Sequence, residues 1–300
     1  MKGISYISAI FIFLGIMAVS CEDVIDVEVP IDEPRLVIGG LLRVDTTQEF
    51  VGVKIKVTQT SGFFDEVLPI SNVENMYILY GFEEFGDIVN PSFSNLSELE
   101  MGSGIYEPDP TFTTDQRIRT SAIEPGMAFF LIFDHEGRRY AGKTYYASSV
   151  AIDSLTQGDG ILFDEEDTEV IVSFTDDPEV ENYYLFDFGF GNFITSEDTF
   201  YEGQPFSFSY FYENVNPGDT LTVSLIGSDQ TFYNYMNLLL DQTEGDFNVF
   251  ETPAATVRGN IFDVTGIDNI NQFDNVNYPD NYPLGYFSIS ETFTDILVVE

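Results

Sequence analysis

The chain has 300 residues, with 51 Asp and Glu against 11 Lys and Arg, which gives a formal net charge of −40. A surface this acidic repels nucleic acid and anionic lipid, so both are excluded as electrostatic partners. The 29 Phe and 17 Tyr supply enough apolar volume for a sizeable core, although the chain has no Trp.

The first 20 residues have the pattern of a secretory signal peptide. Lys2 gives a positive start, and the uncharged, mostly apolar stretch 4–19 is shorter than the roughly 20 residues of a membrane-spanning helix. The small residues A-V-S directly precede Cys21, a pattern that resembles a bacterial lipobox, although the usual pattern has Leu at the position of Ala18. We expect Cys21 to be lipidated and to become the first residue after cleavage.

Cys21 is the only cysteine in the chain. A single thiol in an oxidising compartment is a liability unless its sulfur is already used, and acylation uses it. The alternative is an ordinary secreted protein, or a short membrane anchor, with an incidental cysteine. Residues 21–34 are rich in acid and proline, which predicts an extended tether. Acidic residues directly after the cysteine resemble the surface-export signal of Bacteroidota lipoproteins, so we expect an outer-membrane location facing the cell exterior.

The region 35–150 is predicted to be an antiparallel β-sandwich domain. Apolar and polar residues alternate in 51–60, as they do in a half-buried strand. The segment 134–137 is predicted to be the turn of a hairpin, and the Asn-, Ser-, Gly- and Pro-rich stretch 86–110 is predicted to be a loop. The predicted strands of this domain are 35–44, 51–60, 75–82, 127–133 and 138–147.

The region 151–300 is predicted to be a second β-rich domain. Ten of the eleven Lys and Arg residues lie at or before Lys143, and a domain change near residue 150 explains this step in charge. One amphipathic helix is predicted at about 229–243, with Asp229 as its N-cap and an apolar stripe from Phe232 to Leu240. The fold class is therefore mostly β, with two antiparallel sandwich-like domains. The predicted strands are 151–155, 169–176, 182–190, 206–213, 221–228, 255–264 and 286–299.

Six segments of the chain, in this order, match the pattern of a known family. They are RLVIGGLL (35–42), AIDSL (151–155), GDTLTVSLIGSD (218–229), the tyrosine-rich helix after it, PAATVRGNI (253–261) and LGYFSIS (284–290). Together they resemble the Bacteroidota lipoproteins catalogued as domain of unknown function 4249. The resemblance implies a first domain similar to the prealbumin or carboxypeptidase-regulatory β-sandwich and an association with TonB-dependent outer-membrane transporters. No activity is established for the family, so no catalytic residue is carried over, and the chain departs from the family pattern at 262–283.

The residues offer little support for catalysis. His135 is the only histidine and is predicted to be an exposed turn residue, so a multi-histidine zinc site or a histidine triad cannot form within one chain. No phosphate-binding or dinucleotide motif is present. Asp187, inside an apolar run, is the candidate acid of a carboxylate hydrolase, although outward-facing strand positions often carry such residues.

Ligand binding by acid or by tyrosine is a second alternative. The acidic segments 163–169, 176–181 and 268–282 offer oxygen atoms to calcium, but none has the spacing of an EF-hand loop, and we interpret them as solvated surface acid. The tyrosines of 277–283 could stack on a sugar, although the absence of Trp weakens this alternative. The sequence therefore predicts no catalytic, metal or cofactor residue.

The sequence as a whole favours binding over catalysis. We expect a non-catalytic accessory subunit of a TonB-dependent nutrient-uptake system, attached to the outer membrane through the lipid on Cys21. An independent adhesin-like or ligand-binding surface module is the alternative, and a carboxylate-dependent hydrolase is the third hypothesis.

The lipid anchor is tested by the Cys21→Ser variant. Because serine has no thiol to acylate, we expect this variant to lose labelling by a fatty-acid analogue and to accumulate as unprocessed precursor. Gel mobility and in-cell labelling measure both effects. Continued labelling of the variant would refute the anchor.

Overall fold

The computed structural model describes residues 34–61, 66–161, 167–243, 257–266 and 282–300. The predicted signal peptide 1–20 and all of the predicted tether except Pro34 lie outside these ranges. Within them the chain forms 16 strands and one α-helix, which confirms the mostly β class. No helix in the described ranges has both the length and the apolar character that crossing a bilayer requires.

Eight strands close into a barrel, so the prediction of a sandwich for the first domain is wrong. The strands follow the order β16-β1-β2-β6-β5-β4-β7-β8, and β8 pairs again with β16. The closing strand comes from the far end of the chain and lies parallel to both neighbours, so no local hairpin pattern indicated it. Their bounds are β1 Leu36–Val44, β2 Ile55–Gln59, β4 Glu74–Glu84, β5 Asp87–Glu98, β6 Ile105–Pro108, β7 Met127–His135, β8 Arg138–Ala147 and β16 Leu284–Val298, and the short β3 Leu68–Pro69 pairs with β2.

The barrel interior is filled by side chains from alternate strand positions, as expected for a barrel of this size. Ile38, Leu42, Phe129 and Phe287 are completely buried there. Gly285 has a φ of +88°, and a Cβ at this position would collide with the Ile38 carbonyl group. Glycine is therefore needed where β16 begins beside β1.

The stretch 86–110 was predicted to be a loop, and this prediction is wrong because most of it forms β5 and β6. Much of β5 is exposed, and its exposed residues Asn90, Pro91 and Ser92 have the composition of a loop. Ser94 and Leu96 are the buried positions of this strand. The hairpin between β4 and β5 turns at Phe85 and Gly86, which both have positive φ.

Beyond the barrel, the second half of β16 continues into a further sheet. There it pairs with β14 (Thr220–Ser228), which is followed by β11 (Tyr183–Asp187) and β12 (Phe193–Glu197). A separate three-stranded sheet contains β13 (Pro205–Tyr212), β10 (Thr168–Thr175) and β9 (Ile152–Gln157). The two layers enclose an aromatic core, in which the ring of Phe174 lies 5.5 Å from that of Phe186. A short strand, β15 (Ile261–Asp263), pairs with β8.

The single helix of the described part, α1 (Gln230–Thr243), was predicted correctly. The N–H of Phe232 donates to Asp229 Oδ1 over 2.7 Å, which confirms Asp229 as the N-cap. Phe232 and Met236 are buried in one cluster with Tyr286 of β16, so the predicted apolar stripe is core packing.

Asn260 completes the seam where the barrel closes. Direct pairing of β8 with β16 is limited to two residue pairs. Beside them, the buried Asn260 amide donates to the carbonyl oxygens of Lys143 (2.9 Å) and Phe287 (2.7 Å). Its Oδ1 accepts from the Phe287 N–H over 2.8 Å. One side chain thus replaces the missing backbone ladder between the two strands.

Replacing Asn260 with Ala should destabilise the fold by about 2–4 kcal/mol, because buried backbone groups of both strands lose their partner. Urea unfolding measures the change. Asn234→Ala, at an exposed helix position, is the control and should change the free energy of unfolding by less than about 0.5 kcal/mol. An unchanged midpoint for Asn260→Ala would show that the seam does not depend on this side chain.

Candidate functional site

A cleft lies at the end of the barrel where the described chain begins, around the β7–β8 turn. Its volume is about 570 Å³. The turn is Glu136-Gly137, whose φ angles are +50° and +74°, and it separates this cleft from a second one of about 260 Å³. The larger cleft is lined by Asn72, Glu74, Asp134, His135, Glu136, Gly137, Arg138, Arg139, Val264, Thr265 and Gly266.

Ion pairs line this end of the barrel. The guanidinium of Arg139 donates to both carboxylate oxygens of Asp134, over 2.7 and 2.9 Å, and this contact holds the pKa of Asp134 below its usual value. Asn75 donates to the same carboxylate. Arg138 lies 3.6 Å from the buried carboxylate of Asp263. The cleft therefore offers paired charges of both signs. The two arginines directly after the turn were the sequence signal for this site, and the sequence prediction missed it.

His135 was predicted to be an exposed turn residue, and this prediction is wrong. Because the turn needs only two residues, β7 continues to His135, whose side chain is only 8% exposed. Its Nδ1 has no hydrogen-bond partner among the described residues, and its Nε2 lies 4.0 Å from Glu136 Oε1. His135 lines both clefts.

In the smaller cleft, Arg35 joins the residues of the turn. The guanidinium of Arg35 lies 4.7 Å from the ring centre of Tyr282, and that of Arg258 lies 3.9 Å from the same ring. Tyr282 belongs to the predicted sugar-stacking segment 277–283. Its ring is already in contact with two cations, which does not favour stacking on a sugar. Residues 277–281 of that segment lie outside the described residues.

Asp187, the candidate hydrolase acid, forms an ion pair. Its Oδ2 lies 2.5 Å from Arg43 of β1, and its Oδ1 accepts from the Gly189 N–H over 2.8 Å. The side chain is 15% exposed. Since β1 belongs to the barrel and β11 to the C-terminal layers, the Asp187 carboxylate ties these two parts together.

Two of the three acidic segments can be compared with the structure in part. Glu169 accepts from Ser209 Oγ and from the Gly160 N–H, although residues 163–166 lie outside the described part. In 176–181, Asp176 is buried and not a surface acid, which corrects the sequence interpretation for this residue. Hydrogen bonds inside the fold occupy the carboxylate of Asp176.

Asp176 accepts hydrogen bonds from Tyr184 Oη (2.6 Å), Asn182 Nδ2 (3.2 Å) and the Gly203 N–H (2.8 Å). Burial, followed by the bond to Asp176, raises the pKa of Tyr184. Burial also raises the pKa of the neighbouring Tyr201 to about 12. The three hydrogen bonds from Tyr184, Asn182 and Gly203 hold the carboxylate of Asp176 in place, so its role is structural.

No group of three or more metal-ligating side chains is assembled within the described ranges. Residues 268–281 of the third acidic segment, like Cys21, lie outside them. The groups at the barrel end can bind a solvent-exposed polar partner through paired charges. They do not include a nucleophile held by a base, which acyl transfer or covalent hydrolysis needs.

The described residues define a mostly β protein, in which a closed barrel shares the strand β16 with a second sheet and a separate three-stranded sheet packs on that second sheet. The family model described as "Domain of unknown function (DUF4249)" matches residues 22–295, so the chain belongs to this family. A comparison with curated proteins gave no match.

Among solved structures, a crystal structure of the selenomethionine-substituted chicken interferon gamma receptor alpha chain shows a weak similarity. It shares 10% identity, with 66% of this chain and 90% of that chain covered and a TM-score of 0.17. A similarity at this level carries no argument about fold or function.

The structural role of Asp187 is tested by a double-mutant cycle with Arg43→Met and Asp187→Asn. We expect a coupling of about 1 kcal/mol in the free energy of unfolding, because the pair is partly shielded from solvent. The pair Arg119–Glu49 has the same 2.5 Å separation with both side chains more than half exposed, so it should couple more weakly. Strictly additive effects of Arg43→Met and Asp187→Asn would show that the ion pair does not stabilise the fold.

Proposed function

We propose that the protein is a lipid-anchored, non-catalytic binding subunit of the outer membrane. It faces the cell exterior and contacts a TonB-dependent transporter. The observation that carries this proposal is the position of Pro34. This residue lies in the wall of the smaller cleft, at one end of the barrel. A chain anchored at Cys21 would therefore hold this end towards the membrane.

In this proposal the C-terminal layers lie on the side of the barrel away from the membrane. β1 runs from Leu36 away from the anchored end, and its last residue, Val44, pairs with Glu291 of β16. Beyond that point β16 continues into the sheet with β14.

A binding role without catalysis is supported by how the candidate acids are used. Asp187 pairs with Arg43, and Asp176 accepts three hydrogen bonds from the fold. His135, the only histidine in the sequence, is buried beside the β7–β8 turn. The two carboxylates are thus used inside the fold, and the proposal assigns the role of the protein to its binding surfaces.

The choice of a transporter as partner follows from the family resemblance, which implies an association with TonB-dependent barrels. The net charge of −40 keeps the protein from adhering to anionic lipid, so it stays free to meet a protein partner. The predicted insertion 268–282 is our first choice for the contact, because loops often carry recognition.

The partnership is tested by crosslinking intact cells under nutrient limitation and extracting the full chain in mild detergent. We expect a TonB-dependent transporter to copurify with the wild-type protein and not with Cys21→Ser, which lacks the anchor. Mass spectrometry of the crosslinked peptides identifies the contact. Recovery of the wild-type protein alone would reject the partnership and favour an independent surface module.

A further inference from the structure

The strand β13 lies at the edge of the three-stranded sheet, whose order is β13-β10-β9. Its pairing with β10 is regular over eight residues, from Thr168↔Tyr212 to Thr175↔Pro205, without a bulge. An edge strand this long and straight presents a row of backbone donors and acceptors on its open side.

The hydrogen-bond ladder shows which groups face the open side. The Asp176 N–H donates to the Gln204 carbonyl oxygen over 3.3 Å, so these two residues form a hydrogen-bonded pair. Bonded and non-bonded pairs alternate in an antiparallel ladder. The backbone groups of Ser207, Ser209 and Phe211 therefore point away from β10, and no described residue forms a backbone hydrogen bond with them outside the strand ladder.

The protections that an edge strand carries in its own sequence are missing from β13. Natural edge strands carry lysine, an interior proline, a bulge or an inward charge. The sequence of β13 is PFSFSYFY, with no charge and with its one proline at the first position. Pro205 is tolerated there because its missing N–H would face the open side.

The core-facing side chains of β13 are also incompletely covered. Phe206, Phe208 and Tyr210 pack against the C-terminal aromatic core but stay only partly buried. The ring centres of Phe206 and Tyr201 are 4.5 Å apart, and those of Tyr210 and Phe188 are 3.9 Å apart. An added strand with apolar residues at alternate positions would extend this aromatic layer and cover the exposed ring edges.

We propose that β13 binds an extended peptide segment of a partner protein by strand addition. The segment has apolar residues at alternate positions and basic residues at its ends. The basic ends are indicated by exposed Glu202 and Glu213, which flank the uncharged strand. A second copy of this chain is disfavoured, because two bodies of charge −40 repel each other. The proposal requires neither the lipid anchor nor a transporter.

The proposal is tested with the full chain and the synthetic peptide Lys-Val-Thr-Phe-Thr-Val-Thr-Val-Lys. One edge of the peptide is N-methylated to prevent its self-association. We expect binding to slow hydrogen exchange of the amides of Ser207, Ser209 and Phe211 by at least about tenfold. The same peptide with Glu at both ends should bind at least about tenfold more weakly.

Two variants of one residue separate backbone pairing from side-chain effects. Ser207→Pro removes an outward N–H and should weaken peptide binding at least about tenfold. Ser207→Ala loses the same hydroxyl contact to Ser173, which is 2.7 Å long, but keeps the N–H and should bind within about twofold of wild type. If Ser207→Pro fails to fold, a peptide N-methylated on both edges replaces it and should not bind the wild-type chain.

Four outcomes would overturn the proposal. One is that the peptide does not bind the full chain, and another is that binding leaves the exchange of these three amides unchanged. The third is concentration-dependent dimerisation that Ser207→Pro abolishes in sedimentation experiments, since this would assign the edge to a second copy of the chain. Retained binding of the doubly methylated peptide would likewise exclude backbone pairing.

Discussion

The parallel insertion of β16 between β1 and β8 is the constraint on which both parts of the structure depend. The first half of this 15-residue strand closes the barrel, and its second half pairs with β14 in the C-terminal sheet. Parallel pairing joins segments that are distant in sequence, so its cost in chain entropy is recovered only when the surrounding core is complete. Gly285 permits the close approach to β1, and Asn260 completes the seam with β8.

Several of the few basic residues make contacts between separate parts of the structure. Arg43 ties the barrel to the C-terminal layers through Asp187, and Lys143 of β8 reaches Glu83 of β4 over 2.6 Å. Arg35 and Arg258 both contact Tyr282 at the barrel end. In a chain with 51 acids and 11 basic residues, each cation has many alternative partners. The Arg43–Asp187 and Lys143–Glu83 pairs each join two separate strands, so they help to fix the alignment of those strands as well as to balance charge.

The framework and the open edge of β13 suggest a division of roles. The carboxylates of Asp176 and Asp187 are committed to hydrogen bonds and an ion pair inside the fold. We propose the open backbone of β13 and the charged clefts beside His135 as two recognition surfaces of the described residues. Because the clefts lie at the Pro34 end and β13 lies in the C-terminal layers, the two surfaces can engage different partners.

The sequence by itself determined the features that depend on local periodicity and local hydrogen bonding. An apolar run followed by the turn sequence DHEG predicted the hairpin of β7 and β8, and Asp229 before an apolar stripe predicted α1. Composition failed to predict β5, since an exposed strand can have the composition of a loop. Only the tertiary structure decided that β16 closes a barrel, that His135 is buried and that Asp187 meets Arg43. These three facts depend on contacts between distant segments, and no pattern within one segment encodes its distant partner.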